Sequence, residues 1–278
     1  METKKLNARD IISLKNKRKI TMLTAYDFPT AQLLDRAGID MILVGDSLAN
    51  VVLGLQSTTE VGMTEMLHHA KAVARATTMS LVVGDMPYES YQLETSFAVD
   101  NARRFINEAG CQAVKLEWFE KCLEVTEEVI KAGIPVMGHI GLTPQTADKI
   151  GGFKVQGKDA DAARRLIEQA EALEQRGCFA LVLECVPDKV AAIITQKLSI
   201  PTIGIGAGAA CDGQVLVIHD LLGLFERYQP KFVKRYADLS GAILAAVESY
   251  KKDVLSGAFP GPEHCFGIKE EELKKITG

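Results

Sequence analysis

Residues 96–117 read SFAVDNARRFINEAGCQAVKLE, and this stretch decides the fold. Ser96–Ala109 looks helical, and Gly110 supplies the left-handed turn that ends such a helix. An apolar run, Ala113–Leu116, follows within a few residues and closes on Glu117. The same order recurs along the chain. Strand candidates are Ile20–Ala25, Met41–Val44, Leu81–Val83, Ala113–Leu116, Ile134–Met137, Phe179–Leu183, Ile200–Ile205 and Gln214–Ile218. They are short and mostly apolar, as strands buried on both faces must be. Helical stretches lie between most of them: Thr30–Ala37, Thr64–Thr77, Ser96–Ala109, Leu123–Ala132, Ala160–Arg176 and Asp188–Leu198. Gly38, Gly133 and Gly177 repeat the join made by Gly110.

Repeated strand–helix–glycine units imply parallel strands with right-handed crossovers. Eight of them predict a closed (β/α)8 TIM barrel, and no linker divides the 278 residues, so a single domain over 1–278 is expected. The seventh unit is irregular, because Ala207–Gly213 is too short for a crossover helix. An open, doubly wound sheet is the alternative that this irregularity supports. Residues 219–278 form a C-terminal extension with a helix expected at Asp238–Ser256. Two long loops, Asp46–Met63 and His139–Lys158, are places to look for function.

The composition narrows the classes. A formal net charge of −4 with no basic block argues against nucleic acid as a partner. No run approaches the ~20 apolar residues of a membrane span. Met1–Lys19 is polar, without a leader's hydrophobic core. Six scattered cysteines with no C-x-x-C pair suggest reduced thiols in a cytoplasmic protein.

Catalytic groups in parallel barrels come from the C-terminal ends of strands. Asp46, Asp85 and Glu117 stand there on three consecutive strands. Each could cap the loop that follows it. Together they point to a hard cation such as Mg2+, which takes one or two protein carboxylates and keeps waters. Lys115 and Glu117 lie two apart and face one side, either as a rim ion pair or as an anion contact beside the metal. Glu184 ends an apolar strand, where a carboxyl is suited to proton transfer or to capping the helix after Pro187. His139 is an accessory candidate, as proton carrier or anion donor. His68, His69, His219 and His264 read as structural. The run Gly204-Ile205-Gly206-Ala207-Gly208 fails as a dinucleotide fingerprint; it either lets backbone approach a flat ligand or makes the turn between strands seven and eight.

The segments Leu43-Val44-Gly45-Asp46-Ser47-Leu48, Val83-Gly84-Asp85-Met86-Pro87, Val114-Lys115-Leu116-Glu117, 138–145 (GHIGLTPQ) and Leu183-Glu184-Cys185-Val186-Pro187 occur in order, followed by the 203–208 glycine run and Cys211-Asp212-Gly213-Gln214. Jointly they resemble the ketopantoate hydroxymethyltransferases, from about Asp10 to about Gly267. The resemblance implies a Mg2+-dependent barrel of the phosphoenolpyruvate/pyruvate type. The implied reaction joins 3-methyl-2-oxobutanoate and 5,10-methylenetetrahydrofolate to give 2-dehydropantoate, through a magnesium-stabilised enolate. It implies Asp46 and Asp85 as metal ligands, with Glu117 as a third. Asp46, Ser47, Asp85 and Lys115 are implied as substrate contacts, and Glu184 as the proton acceptor. A cytoplasmic homo-oligomer, commonly a decamer, is expected. The stretch Ser57–Thr64 departs from the family pattern at Glu60 and Gly62. Three rivals stand beside this reading: a carbon–carbon lyase or mutase on the same barrel, a Schiff-base aldolase using Lys115, and an inactive barrel serving as a sensor or scaffold.

Overall fold

The computed structural model of the chain describes residues 5–150 and 154–277. Eight strands close into one parallel barrel in sequence order, with β1 paired to β8. They are β1 (Ile20–Thr24), β2 (Met41–Val44), β3 (Leu81–Asp85), β4 (Ala113–Glu117), β5 (Val136–Gly141), β6 (Ala180–Glu184), β7 (Thr202–Ile205) and β8 (Gly213–Leu216). The closed ring excludes the open-sheet alternative.

The strand limits shift for local reasons. Ile134 belongs to the turn that closes the preceding helix, its N–H donating to Val129 O, and Pro135 has no N–H to offer a neighbour. Pairing therefore starts at Val136 and runs on to Gly141, which places His139 inside β5 rather than after it. Pro201 delays β7 in the same way. Strand β8 stops at Leu216, because Ile218 opens a short helix instead of ending the strand.

The helices are α1 (Ala8–Ile12), α2 (Phe28–Arg36), α3 (Leu48–Val51), α4 (Met63–Ala76), α5 (Ala98–Asn107), α6 (Cys122–Lys131), α7 (Ala160–Gln175), α8 (Asp188–Lys197), α9 (Ile218–Leu221), α10 (Leu239–Ser256) and α11 (Glu270–Thr277). Helices α2 and α4 to α8 are the six crossovers. No helix joins β7 to β8, as the short spacing predicts. Gly38, Gly110, Gly133 and Gly177 all have positive φ, between 77° and 97°. Among the described residues, no helix is long and apolar enough to cross a membrane.

Strand side chains alternate between the barrel interior and the helical layer. Ile20, Met22, Met41, Leu43, Leu81, Val83, Ala113, Met137, Ala180, Val182, Ile203 and Val215 fill the interior. Ile11 of α1 joins this cluster and closes the barrel floor. The N-terminal arm is tied down by Lys15–Asp212 at 2.6 Å and Arg18–Asp40 at 2.5 Å. All six cysteines are free; Cys111, Cys122, Cys178 and Cys211 are buried, Cys185 is half-buried and Cys265 is exposed.

Asp35 of α2 holds the entry to β3. Its carboxylate accepts from the backbone N–H groups of Thr78, Met79 and Ser80 and from the Thr78 and Ser80 hydroxyls, at 2.7–3.0 Å. Burial works against its charge, but these donors outweigh that and bring its pKa down to about 2. Asp35→Ala leaves three N–H groups without their acceptor and should cost roughly 3 kcal/mol of stability. A folded pKa below the unfolded value of ~3.9 means the contribution is fully present above that value and fades as pH falls towards about 2. Denaturant melts at pH 7 and pH 3 check this: the gap between wild type and variant should narrow at the lower pH.

Candidate active site

The alternation that packs the barrel floor also builds its mouth. Going up β3, the interior positions are Leu81, Val83 and Asp85; up β4 they are Ala113, Lys115 and Glu117. On β5 they are Met137 and His139, and on β6 Ala180, Val182 and Glu184. Register then sets the neighbours. Asp85 pairs laterally with Lys115, and Glu117 with His139. Asp46 and Ser47 enter from the turn after β2. All seven residues expected at the site line one cavity of about 290 Å³ at the C-terminal mouth.

Two glycines make room for this arrangement. A side chain on Gly84 would collide with the Phe105 ring, which lies against β3 and fixes α5 beside Asp85. Gly141 has φ 98°, and a Cβ there would strike the carbonyl of Glu184, its register partner on β6. Leu142 N–H donates to that same carbonyl at 2.8 Å, so the backbone of Glu184 is gripped from β5.

The cluster is buried and charged. Lys115 Nζ lies 2.8 Å from Asp85 Oδ1 and 3.8 Å from Glu117 Oε1. Burial opposes the ammonium, but Asp85, Glu117 and Asp46 outweigh it and hold the pKa of Lys115 above its ordinary value. His139 bridges two acids, with Nδ1 3.4 Å from Glu117 Oε1 and Nε2 3.3 Å from Glu184 Oε2. Burial and the Lys115 charge both disfavour the imidazolium; the two carboxylates prevail and raise its pKa to about 9. Glu184, whose side chain keeps 16% of its surface exposed, thus faces a polar partner as well as the apolar strand that precedes it.

Asp46 stands differently. Burial and the charges of Asp85 and Glu117 push its pKa well above the usual carboxylate range. Asp85 is also raised, by burial first, with Lys115 pulling the other way. The two are adjacent: Asp46 N–H donates to Asp85 Oδ2 at 3.2 Å. Glu117 is the acid whose pKa is lowered, against burial, by His139, Lys115 and the Gln145 N–H. Among the described residues no three acidic, His or Cys side chains form a ready metal cage. Two neighbouring carboxylates held against their own repulsion do fit a cation that completes its shell with water and ligand.

Four residues here were not singled out as site residues from the sequence. Gln145, on the loop after β5, donates from Nε2 to Asp46 Oδ2 at 2.9 Å and to Met86 O at 3.0 Å. Its backbone N–H donates to Glu117 Oε2 at 3.0 Å. Buried Tyr91 donates to Gln145 Oε1 at 2.7 Å and accepts from Glu117 N–H at 3.0 Å. Gln145 thereby holds two of the carboxylates, Asp46 through its side chain and Glu117 through its backbone, and the Tyr91 phenol fixes the amide. Tyr26, just past β1, lies 2.9 Å from Ser47 through its hydroxyl, and its ring is 5.4 Å from that of His219. Asp220 lines the same cavity from beyond β8. The departures at Glu60 and Gly62 are local capping. Glu60 accepts from the Gln56 and Ser57 N–H groups, and Gly62 N–H donates to Glu65 at the start of α4. The glycine run resolves as the turn between β7 and β8, with Gly206 and Gly208 at positive φ.

Residues 5–262 match the family described as ketopantoate hydroxymethyltransferase. The 3-methyl-2-oxobutanoate hydroxymethyltransferase of Syntrophobacter fumaroxidans is 56% identical over 97% of this chain and 95% of its own. That of Syntrophomonas wolfei subsp. wolfei is 55% identical over 94% and 95%. Among solved structures, the phosphoenolpyruvate phosphomutase of Streptomyces platensis subsp. rosaceus superposes with a TM-score of 0.61 at 18% identity, over 98% of this chain and 94% of its own. A 2,3-dimethylmalate lyase gives 0.60 at 15%, over 98% and 94%. These last two share the fold, whereas the relatives above half identity, the family match and the acid set on β2 to β6 agree with one another: the chain belongs to the ketopantoate hydroxymethyltransferase family.

Proposed function

We propose that this protein transfers a hydroxymethyl unit from 5,10-methylenetetrahydrofolate to 3-methyl-2-oxobutanoate, giving 2-dehydropantoate. The observation that carries the reading is the Asp46–Asp85–Lys115 cluster, which offers two strained carboxylates and one retained ammonium at the floor of a single cavity. Asp46 and Asp85 would hold Mg2+ directly. Glu117, already engaged by His139 and Gln145, would act through water. Bound Mg2+ would polarise the oxo group and draw charge away from C3.

The protein's own residues supply the rest. Lys115 is a protonated point charge for the oxo-acid oxygens, and Ser47, held by Tyr26, offers a hydroxyl beside it. Glu184 takes the C3 proton, with the His139 cation at its back. C3 then bonds to the methylene carbon, whose two bonds to the folate nitrogens break; water supplies the hydroxyl on that carbon, and the proton taken from C3 and the one given up by water leave on the two nitrogens of tetrahydrofolate. A Schiff-base route through Lys115 is disfavoured, because it needs a neutral amine and the surrounding acids favour the ammonium. An inactive scaffold is disfavoured by the destabilisation that buried, uncompensated acids bring.

We further propose that the protein is cytoplasmic and self-associates. Ile243, Leu244, Val247, Tyr250, Val254 and Leu255 of α10 are all more than 40% exposed, a face that invites burial by another copy. The family resemblance implies a decamer.

The deciding assay measures 2-dehydropantoate formed from the two substrates with Mg2+, with and without EDTA. Asp46→Asn should abolish turnover there. The same change removes a charge that its neighbours repel, so EDTA-treated variant should melt no lower than EDTA-treated wild type. Normal turnover, or a clearly lower melting temperature without metal, would count against the metal role.

Gln145→Met keeps the bulk but loses every side-chain hydrogen bond to Asp46 and Tyr91. Mn2+ affinity, read by electron paramagnetic resonance, should weaken by about 10–100-fold, the usual scale for a residue that orients a ligand. An unchanged affinity would reduce Gln145 to a packing residue.

Glu184→Gln should keep metal and oxo-acid binding and lose turnover by about 10²–10⁴-fold. Exchange of the C3 proton with deuterated water, followed by NMR without folate, should stop in this variant. Persistent exchange would move the role of Glu184 to the folate side, and normal turnover would remove it from the chemistry.

A further inference from the structure

The cavity is larger than the oxo acid needs. It measures about 290 Å³. A five-carbon oxo acid fills roughly 120 Å³ at interior packing density. The groups suited to the oxo acid stand on β2 to β6. Past β7 and β8 the wall changes character, to Val217, Asp220, Phe225, Tyr228, Pro230 and Phe232. It is flat-faced and apolar, with one carboxylate set into it.

That carboxylate has no role in the chemistry above. Among the described residues, the Asp220 side chain has no hydrogen bond and no ion pair within 4 Å. Burial raises its pKa to about 6, with only the more distant Arg235 charge opposing. An acid half-buried without donors suits a ligand that brings donors. It also repels the oxo acid, which is an anion. The aromatic part is a built feature. The Phe232 ring lies over Gly206 at the end of β7, where an added Cβ would stand 2.8 Å from it. Arg227 donates to Gly54 O at 3.2 Å, tying this segment to the loop after β2 across the mouth.

We propose that this wall is the pterin subsite: the Asp220 carboxylate accepts two hydrogen bonds, from the 2-amino group and N3–H of the folate ring, while Phe225 and Phe232 cover its face. The proposal rests on the hydroxymethyl-transfer reading. A paired N–H edge on a flat ring matches a carboxylate bidentately, and aromatic faces bind such a ring by stacking. Placing the pterin beyond β7 and β8 leaves the charged side of the cavity for the oxo acid, with Glu184 of β6 between the two.

The test uses the full-length protein with Mg2+ and tetrahydrofolate, titrated by calorimetry. Asp220→Asn should raise the Kd for tetrahydrofolate by about 10–100-fold. The 2-desamino-2-methyl analogue, which keeps N3–H but lacks the 2-amino donor, should bind wild type more weakly than tetrahydrofolate does, and Asp220→Asn should weaken it less than it weakens tetrahydrofolate, because one of the two contacts is already gone. Phe232→Leu should also weaken tetrahydrofolate several-fold, and circular dichroism shows that each variant is folded. Tetrahydrofolate binding to Asp220→Asn as tightly as to wild type, or losses from variant and analogue that simply add, overturns the subsite. Oxo-acid C3 exchange in wild type separates the two levels. Normal exchange with an unaffected Asp220→Asn removes the pterin subsite alone; wild type with neither exchange nor tetrahydrofolate binding removes the hydroxymethyl-transfer reading and the subsite with it.

Discussion

A lysine ammonium buried 2.8 Å from Asp85 is the interaction on which the mouth of this barrel depends. Removing either partner would strand a charge in an apolar tube whose floor is Leu81, Val83, Ala113 and Met137. The pair also leaves the site unbalanced. Asp46, Asp85, Glu117 and Glu184 face Lys115 and His139, whose pKa two of those acids raise against burial and the Lys115 charge. The strain falls hardest on Asp46, whose ionised form burial and the Asp85 and Glu117 charges all disfavour. A site short of one cation when empty gains most when a cation and an anionic ligand arrive together.

Register explains why these groups can be buried at all. In a closed parallel barrel each interior position has a defined lateral neighbour, so a charge at one strand end can be met by its complement on the next. Asp85 faces Lys115, and Glu117 faces His139, by register alone. The sequence carries this information as an alternation. Val114-Lys115-Leu116-Glu117 places both charged residues inward and both apolar ones under the helices.

Most of the fold was therefore legible before any coordinates. The glycine after each of four helices, the apolar runs and the missing seventh crossover all appear where the spacing predicts. Strand limits moved where a proline removes an N–H, which periodicity does not weigh. The ionisable site residues were visible because a charge in an apolar run is conspicuous. Gln145 and Tyr91 were not, since an amide or a phenol in a loop carries no such signal. Their importance comes from donors and acceptors brought together over 54 residues of chain. Asp220 gave no signal either, since nothing in the sequence says that an acid past β8 lacks a partner.

The division of labour between strands and loops follows from these constraints. Strands deliver Asp85, Lys115, Glu117, His139 and Glu184 with fixed spacing, which suits groups whose charges must balance. Loops supply what strands cannot. The turn after β2 brings Asp46 and Ser47 over the rim, and the loop after β5 brings the amide that orients Asp46. The truncated β7–β8 link belongs to the same logic. With no crossover helix after β7, the segment after α9 lies over Gly206 and turns aromatic side chains to the cavity. What reads in sequence as a defect in the eightfold repeat leaves one side of the mouth open to an apolar wall. That asymmetry gives a single cavity a charged side on β2 to β6 and a flat, apolar side past β8.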